Sequence, residues 1–584
     1  MPKVIFGICR RGHYNLEGKV VNSSKYVIDQ QFVRYEWNTI PWRKVEKFVF
    51  KLQKRIYQAA ICNDKKKVHK LQRLLLNSIS AKLLAVRKVT QDNRGKKTAG
   101  IDGKANLNHK ERLQLAYSLN VREKAKPSKR VWIPKPGKPI EYRPLGILTI
   151  SDRAKETLMK MALEPEWEVG FEPNMYGFRP GRSCHDAIEA IFNSLNWKTA
   201  YCLDADISGC FDNINQNALL EKLNTTPTFR RIIKGWLRAG VMENRKFEST
   251  KRGTIQGGTI SPLLACVALN GLEQYIKETL WSELLQYRKM KCGVASSREA
   301  KSSLSVIFYA DDFIIIHESK EIILKAKMIV EEWLKTIGLE LKPSKTKISH
   351  TQNGEKPGFN FLGFSIRHYS TKNNKRGYKL LVKPSRESRK QHTLTIKHKI
   401  RGLRGSTQET VIRQLNPITR GWSKYYSSVV SNKTFRFIDS VMFRNIWKWA
   451  VYRHPTKGKY WIKNKYFKKY KNDNWRFMTN NKVLLIKHGD HAIKRHVKVK
   501  GTKSPYDGDW VYWGNRLRKI PDKLPRVIKL LKLQQGKCGH CQLWFKNDDI
   551  LETHHIDRNR RNNMKKNLSL LHGHCHDELH RKCA

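Results

Sequence analysis

The 584-residue chain has no run of about 18 consecutive apolar residues, so no membrane-spanning helix is expected. It also lacks the lipidation motif or basic amphipathic anchor that a membrane-surface protein uses. Its opening residues, MPKVIFGICRRGHYNLEGKV, contain no charged leader, apolar stretch and cleavage site, and a non-secreted protein is expected. The eleven cysteines are odd in number and too scattered for a disulfide scaffold. A reducing compartment is expected, with thiols free to bind metal. Internal repeats and low-complexity tracts are missing. What is scarcest is negative charge: 50 Asp+Glu stand against 115 Lys+Arg, a formal charge of +65. A merely soluble surface needs far less charge, so the imbalance points to a polyanionic partner, with nucleic acid first.

What the chain does have is core-forming sequence, 39% hydrophobic over a length that calls for several domains. From Trp42 onward, Val45, Phe48, Val49, Leu52 and Ile56 share one helical face. A second helix is expected around Val68 to Val86, closed by the turn-rich RGKKTAGIDG (94–103). VWIPKPGKPIEYRPLGILTI (131–150) reads as a hairpin with a Pro/Gly turn, followed by a helix from Ser151 to about Glu164. NMYGFRPGRS (174–183) is a loop leading into a helix. YCLDADISGCF (201–211) is a buried strand, and GTIQGGTISPLLACVALNGLE (253–273) is a Gly-rich turn followed by a helix. VIFYADDFIII (306–316) reads as one buried strand, then come a helix over 320–337 and a strand FNFLGFSI (359–366). Beyond residue 380 the pattern is helical and basic, with Ile396, Ile400 and Leu403 on one helix and Val411, Ile412 and Leu415 on the next. Between Arg453 and Lys503, sixteen Lys/Arg face two Asp/Glu. Tyr460, Trp461, Tyr466, Phe467, Tyr470, Trp475 and Phe477 are interleaved there. That suits a stacking surface for single-stranded nucleic acid, though core packing accounts for the aromatics equally well.

Asp311 and Asp312 lie in the middle of an apolar run, and so do Asp204 and Asp206 in LDADISGCFD. Burying an unpaired carboxylate is expensive. Two-metal phosphoryl transfer, however, needs several carboxylates converging on cations about 4 Å apart, drawn from separate strand ends. Either pair alone is also compatible with structural hydrogen-bond acceptors. Both pairs on one basic chain favour metal-dependent nucleic-acid chemistry.

Seven ordered segments carry a resemblance. RPLGI (143–147), YGFRPGRS (176–183), DADISGCFDNI (204–214), QGGTISP (256–262), FYADD (308–312), GLELKPSKTKI (338–348) and FLGF (361–364) match the blocks of reverse transcriptases. More narrowly, the chain resembles a group II intron-encoded protein. The resemblance implies that Asp206 and Asp311 bind two Mg²⁺ ions, with Asp312 beside them and the Ile207 carbonyl assisting. It implies that Phe211 gates against a ribose 2′-OH, that Gln256 lines the nucleotide pocket, and that Lys135 and Arg143 hold the triphosphate. LNPITRGWSKYY (415–426) is similar to the maturase segment, which serves as thumb and intron-RNA surface.

At the C-terminus, Cys538-Gly539-His540-Cys541 and His572-Gly573-His574-Cys575 offer two closely spaced ligand pairs. They suit a closed tetrahedral Zn²⁺ site of Cys538, Cys541, His572 and Cys575, with His574 and Cys583 as possible substitutes. His576 and His580, four apart, share a helix face. Glu552-Thr553-His554-His555, Asn567, His576 and His580 resemble an HNH (ββα-metal) nuclease, here with His572 where the family usually has a Cys. The resemblance makes His555 the general base and Asn567 its orienting partner. Glu552 then supports the shell, and His554, His576 and His580 hold a nuclease Mg²⁺ or other divalent ion.

The expected fold class is multidomain α+β: right-hand polymerase fingers and palm, a helical thumb/maturase domain, a basic DNA-binding region and a small ββα-metal zinc module. The expected divisions are a 1–40 extension, 41–370 fingers and palm, 371–455 thumb/maturase, 456–523 basic region and 524–584 nuclease. The implied partners are intron RNA, target DNA and dNTPs. The implied function is reverse transcription, splicing assistance and DNA cleavage in intron mobility; the alternatives are a splicing-only maturase or a polymerase of a non-intron retroelement. High Lys, Ile and Asn usage suits an AT-rich genome in bacterial cytoplasm or plastid stroma.

Overall fold

The computed structural model describes residues 36–135, 138–372, 374–519, 525–545, 549–559 and 562–581. The expected 1–40 extension lies almost wholly outside them, as does Cys583. Among the described residues no helix is long and apolar enough to cross a membrane.

The chain enters through Trp42–Ile61, whose buried stripe of Val45, Val49, Leu52 and Ile56 follows the predicted face. The single helix expected around 68–86 is two, Lys65–Asn77 and Ile79–Arg87, because Ser78 takes extended backbone (ψ 126°) between them. The next helix, Ile150–Gly170, runs past Glu164 and through Pro165. Proline at that position leaves the carbonyl four residues earlier without its helical donor. That carbonyl, on Met161, accepts instead from the buried Gln53 side chain at 3.0 Å, while Gln72 serves Ala162 at 3.3 Å. A long-range side chain thus replaces the missing bond, which local sequence does not reveal.

Ser128–Lys135 and Lys138–Ile147 form the expected antiparallel hairpin, extended by Val241–Glu243 and Lys246–Glu248 into a four-stranded sheet. A second four-stranded sheet orders Ser305–Tyr309, Asp312–His317, Tyr201–Asp206 and Lys347–His350, all antiparallel. Leu203, Ala205, Val306, Phe308, Phe313 and Ile315 enter one core from it, and Cys202, Ile307, Ile314 and Ile316 enter another. Burial on both faces explains why these strands read as unbroken apolar runs rather than alternating ones.

VIFYADDFIII is therefore a hairpin, not one strand, turning at Ala310–Asp311 with Tyr309 opposite Asp312. Ala310 has φ +60°, a position glycine or asparagine usually takes in a tight turn, so the turn signal is absent from the sequence. FNFLGFSI is likewise a hairpin. Phe359–Phe361 turns back through Leu362 (φ +49°) and Gly363 (φ +81°) into Phe364–Ser370.

Helices Arg386–Gly402, Gln408–Tyr426 and Asn432–Arg453 pack Ile396, Ile400, Val411, Ile412, Leu415, Ile438 and Ile446 into a third core, as the spacing predicts for the first two. Ile462, Tyr466, Phe467 and Phe477 join that same core, so the start of the basic region is built into the helical bundle. Tyr460 (75%), Trp461 (39%) and Trp475 (41%) remain exposed, with Lys465 over Trp461 at 4.6 Å and Lys463 over Trp475 at 5.1 Å. Core packing thus accounts for Tyr466, Phe467 and Phe477, whereas Tyr460, Trp461 and Trp475 lie on the surface. The later part of the basic region lies on the palm. Asp186 accepts from Arg516 (2.5 Å), the Val499 amide (2.8 Å) and His496 (3.1 Å), and Arg182 donates to the Gly501 carbonyl.

Candidate active sites

The first site forms where the two carboxylate motifs meet. Asp206 ends its strand directly opposite Asp312, and Asp311 occupies the hairpin turn beside them. The loop before them is held by close packing. Tyr176 donates its amide to the Phe308 carbonyl, and a Cβ on Gly177 would sit 2.1 Å from the Ala310 nitrogen. Only glycine permits that approach, which accounts for the glycine in YGFRPGRS. Burial, a hydrogen bond with Asp206 and the charge of Asp311 push Asp312 up to about 7, and burial raises Asp311. Burial and Asp206 likewise push Asp204 up to about 6. Lys345, from GLELKPSKTKI, places its ammonium 2.7 Å from Asp206 Oδ2. Sequence reading assigned Lys345 nothing. A cation already sits on this carboxylate group, whose members repel one another, and carboxylate oxygens are the donors a hard divalent ion takes.

Around the carboxylates, Phe211 meets Phe178 edge-on at 5.9 Å, and both line a small recess with Met175, Cys210, Ala310 and Asp311. Phe178 is exposed and has φ +61°; it went unassigned in the sequence because an aromatic in a Gly/Pro loop carries no distinctive spacing. Ile207 is buried and pairs by a backbone bridge with Leu341. Gln256 donates to Asp212 at 3.0 Å, and its carbonyl accepts from the Gly146 amide at 2.7 Å. The loop that carries Gln256 is clamped from below by Glu156, whose Oε2 accepts from the amides of Thr259 (2.6 Å) and Ile260 (3.3 Å). Arg143 is exposed and its charge is felt at Asp311. Lys135, expected to hold the triphosphate, is paired with Glu141 at 2.9 Å on the hairpin. Lys135 and Glu141 both lie beside the hairpin turn, where the two strands come back together.

The second site is a ββα unit. Leu551–His555 pairs antiparallel with Leu568–His572, and the helix Gly573–Arg581 follows. Cys538, Cys541, His572 and Cys575 bring their ligand atoms within 4.8 Å of one another, all buried, with His572 Nδ1 3.3 Å from Cys541 Sγ. Tetrahedral zinc spaces such atoms about 3.8 Å apart, so the set fits a closed Zn²⁺ site. Asp549 stands 3.2 Å behind His572 Nε2, fixing which ring nitrogen faces the thiols. A Cβ on Gly539 would lie 2.1 Å from Ser569 Oγ, so a larger residue there would require Ser569 to turn away. His554, His576 and His580 form a separate cluster, also within 4.8 Å, and His576 Nδ1 is 2.7 Å from Glu552. Burial and the neighbouring histidines depress His554, favouring the neutral imidazole a metal requires.

One expected relationship is not formed. Asn567 does not touch His555. Its side chain accepts from the Asp557 amide at 2.9 Å and donates to the Asp557 side chain at 2.7 Å and to the Asn562 carbonyl at 2.9 Å. His555 Nε2 instead approaches Asn563 at 3.5 Å. The Asn567 side chain is committed to Asp557 and Asn562, and Asn563 stands beside His555 in its place. His574, considered as a substitute ligand, lies outside the four-residue metal cluster, 3.5 Å from Glu46.

The antiparallel sheet with paired carboxylates at a strand end and a hairpin turn defines a polymerase palm. Residues 133–366 match the family described as reverse transcriptase (RNA-dependent DNA polymerase). Residues 37–119 match the N-terminal domain of reverse transcriptase, and residues 389–467 match the group II intron maturase-specific domain. The chain belongs to the group II intron reverse transcriptase/maturase family. Protein YkfC of Escherichia coli K12 is 30% identical over 327 residues, 51% of this chain and 83% of that one. The group II intron-encoded protein LtrA of Lactococcus lactis is 31% identical over 292 residues, 41% of this chain but 47% of LtrA. Maturase-like protein 1 of Euglena gracilis is 32% identical over 243 residues, 40% of this chain and 51% of that protein. The chain thus spans about half of the latter two relatives.

Proposed function

We propose that the chain is a multifunctional group II intron-encoded protein that copies RNA into DNA, assists splicing of its intron and nicks DNA through its C-terminal ββα module. The observation that carries the polymerase reading is the apposition of Asp206 and Asp312 beside Asp311. Asp206 and Asp311 would hold two Mg²⁺ ions, which supply activation of the primer 3′-OH and neutralisation of the leaving pyrophosphate. Phe211, braced by Phe178, closes the sugar side of the incoming nucleotide. Gln256 sits on the loop held by Glu156 and lines the base side. Arg143 presents a forked donor for phosphate oxygens. In the maturase segment, Tyr425 and Tyr426 hydroxyls donate to the Leu362 and Gly363 carbonyls, so the RNA-binding bundle is tied to the palm hairpin.

In the C-terminal module, the Cys538, Cys541, His572 and Cys575 set is read as a structural Zn²⁺ site. A divalent ion held by His554, His576 and His580 would supply charge stabilisation at the cleaved phosphodiester. His555, on the opposite strand face, would take the proton of an attacking water, and Glu552, 2.7 Å from His576, would orient that ring. Intron RNA, target DNA and dNTPs are the proposed partners.

The deciding experiment is primer extension on an RNA template with the purified protein, Mg²⁺ and dNTPs, with Asp206→Ala alongside. Extension by the native chain and none by the variant is the expected result. No extension by either turns the reading to a splicing-only maturase.

A further inference from the structure

Phe178 stands at φ +61°, in the left-handed region, with its ring 46% exposed. A bulky side chain at such a backbone angle is an outlier, since glycine or asparagine takes it at lower cost. An exposed aromatic alone calls for no explanation, but one that also carries backbone strain does. The strain is imposed from both sides. Gly177 lies so close to the carboxylate hairpin that a Cβ would sit 2.1 Å from the Ala310 nitrogen, and its carbonyl accepts from Cys266 Sγ at 3.4 Å. Arg179 is buried, bonded to Glu168 at 2.8 and 3.2 Å and to the Glu172 and Met175 carbonyls, and it stacks over Phe171 at 5.0 Å. Between these two anchors Phe178 turns its ring outward, where it gains little from burial.

The ring instead meets Phe211 edge-on, with centroids 5.9 Å apart and planes at 80°, a favourable aromatic geometry. The Thr254 amide fixes the Phe211 backbone by donating to its carbonyl at 2.6 Å. The Phe211 ring, however, adjoins a recess of about 10 Å³ that it shares with Phe178, Cys210, Ala310 and Asp311. That volume suits about one water and is far too small for a phenyl ring. Without the Phe178 ring the recess opens, and the Phe211 ring gains room to swing away from the sugar of an incoming nucleotide. We propose that Phe178 is a positioning residue that sets sugar specificity: its strained backbone holds a ring against Phe211, so that Phe211 refuses a ribose 2′-OH rigidly. The proposal rests on the polymerase reading above. It adds a residue that acts through Phe211 without touching the nucleotide. The strain at Phe178 then lowers stability while it raises selectivity.

The test is single-nucleotide incorporation by the full-length protein on an RNA template, with each dNTP set against the matching rNTP, together with thermal melting. Phe178→Ala should lower the ratio of kcat/KM for dNTP over rNTP by about tenfold or more, through faster use of the rNTP, while kcat for dNTP changes by less than about threefold. Phe178→Tyr keeps the ring and should keep the ratio. Phe178→Gly should lose selectivity as Phe178→Ala does, yet melt at a higher temperature than Phe178→Ala, which reverses the usual order of glycine and alanine. In a Phe211→Ala background, Phe178→Ala should change the ratio no further, because the residue it acts through is gone. A wild type that does not extend the primer overturns the polymerase reading and this proposal with it. Extension by the wild type with an unchanged dNTP/rNTP ratio in Phe178→Ala overturns the proposal alone and leaves the polymerase standing. Should Phe178→Ala fail to fold, Phe178→Gly, free of the backbone strain, carries the same selectivity test.

Discussion

Asp206 and Asp312 are direct cross-strand partners, and Lys345 completes the group by placing its ammonium 2.7 Å from Asp206. Like charges directly opposite in a sheet are destabilising. Here the cost is eased by a shared hydrogen bond, by protonation of Asp312 near neutral pH and by the lysine. None of these devices would be needed by a strand pair selected for stability. They are consistent with the Mg²⁺ site proposed above.

Asp311→Ala should therefore reduce RNA-templated primer extension roughly a thousandfold or more, while intron RNA affinity changes by less than about twofold. Primer extension and filter binding on the same preparation check this. A parallel collapse of RNA binding shows that the turn is structural.

Lys345→Met should lower the melting temperature of the metal-free protein, because the carboxylates lose their resident cation. It should also tighten Mg²⁺ binding severalfold, since the ion no longer displaces an ammonium from Asp206. Thermal melting across a Mg²⁺ titration reads both effects. An unchanged Mg²⁺ midpoint shows that lysine and metal do not compete.

The reverse-transcriptase fold was legible in sequence because it is carried by contiguous motifs, and the grouping of the C-terminal Cys and His residues was legible because their spacing is geometric. What stayed hidden depends on partners far along the chain. The turn at Ala310 is supported by the close approach of Gly177, not by a turn residue of its own. Pro165 stays helical because Gln53, more than a hundred residues earlier, takes the freed carbonyl. Asn567 was assigned to His555 by resemblance, yet its side chain bonds Asp557 and Asn562, and Asn563 is the residue beside His555. Lys345 lies in an ordinary basic segment, and only the fold sets it on Asp206.

Glu156 gives a pH-dependent prediction. Burial pushes its carboxyl up to about 7 from the ordinary 4.5. A raised acid means that the folded chain keeps a proton the unfolded chain has released. The stability penalty is absent below about 4.5, grows as pH rises, and is complete above about 7. Glu156→Gln stays neutral and keeps an acceptor for the Thr259 amide. Its melting temperature should match the wild type near pH 5 and exceed it near pH 8. Glu156→Ala should instead free the Gln256 loop and raise KM for dNTP by roughly tenfold with a smaller change in kcat. A constant melting-temperature gap between wild type and Glu156→Gln at all pH values removes the titration argument.

The ββα module predicts a graded series rather than a single knockout. His555→Ala should stop DNA nicking and leave primer extension intact, since the putting of His555 on the far strand face separates it from the histidine cluster. Asn567→Ala acts at one remove. It releases Asp557 and the Asn562 carbonyl, next to Asn563, and nicking should fall by about ten- to a hundredfold. Asn563→Ala removes the His555 contact but leaves the loop closed, and should cost less than Asn567→Ala. Nicking of a supercoiled plasmid that carries the intron target site ranks the three. If Asn563→Ala is as damaging as His555→Ala, the 3.5 Å contact orients the base directly. If only Asn567→Ala matters, loop closure is what the module requires.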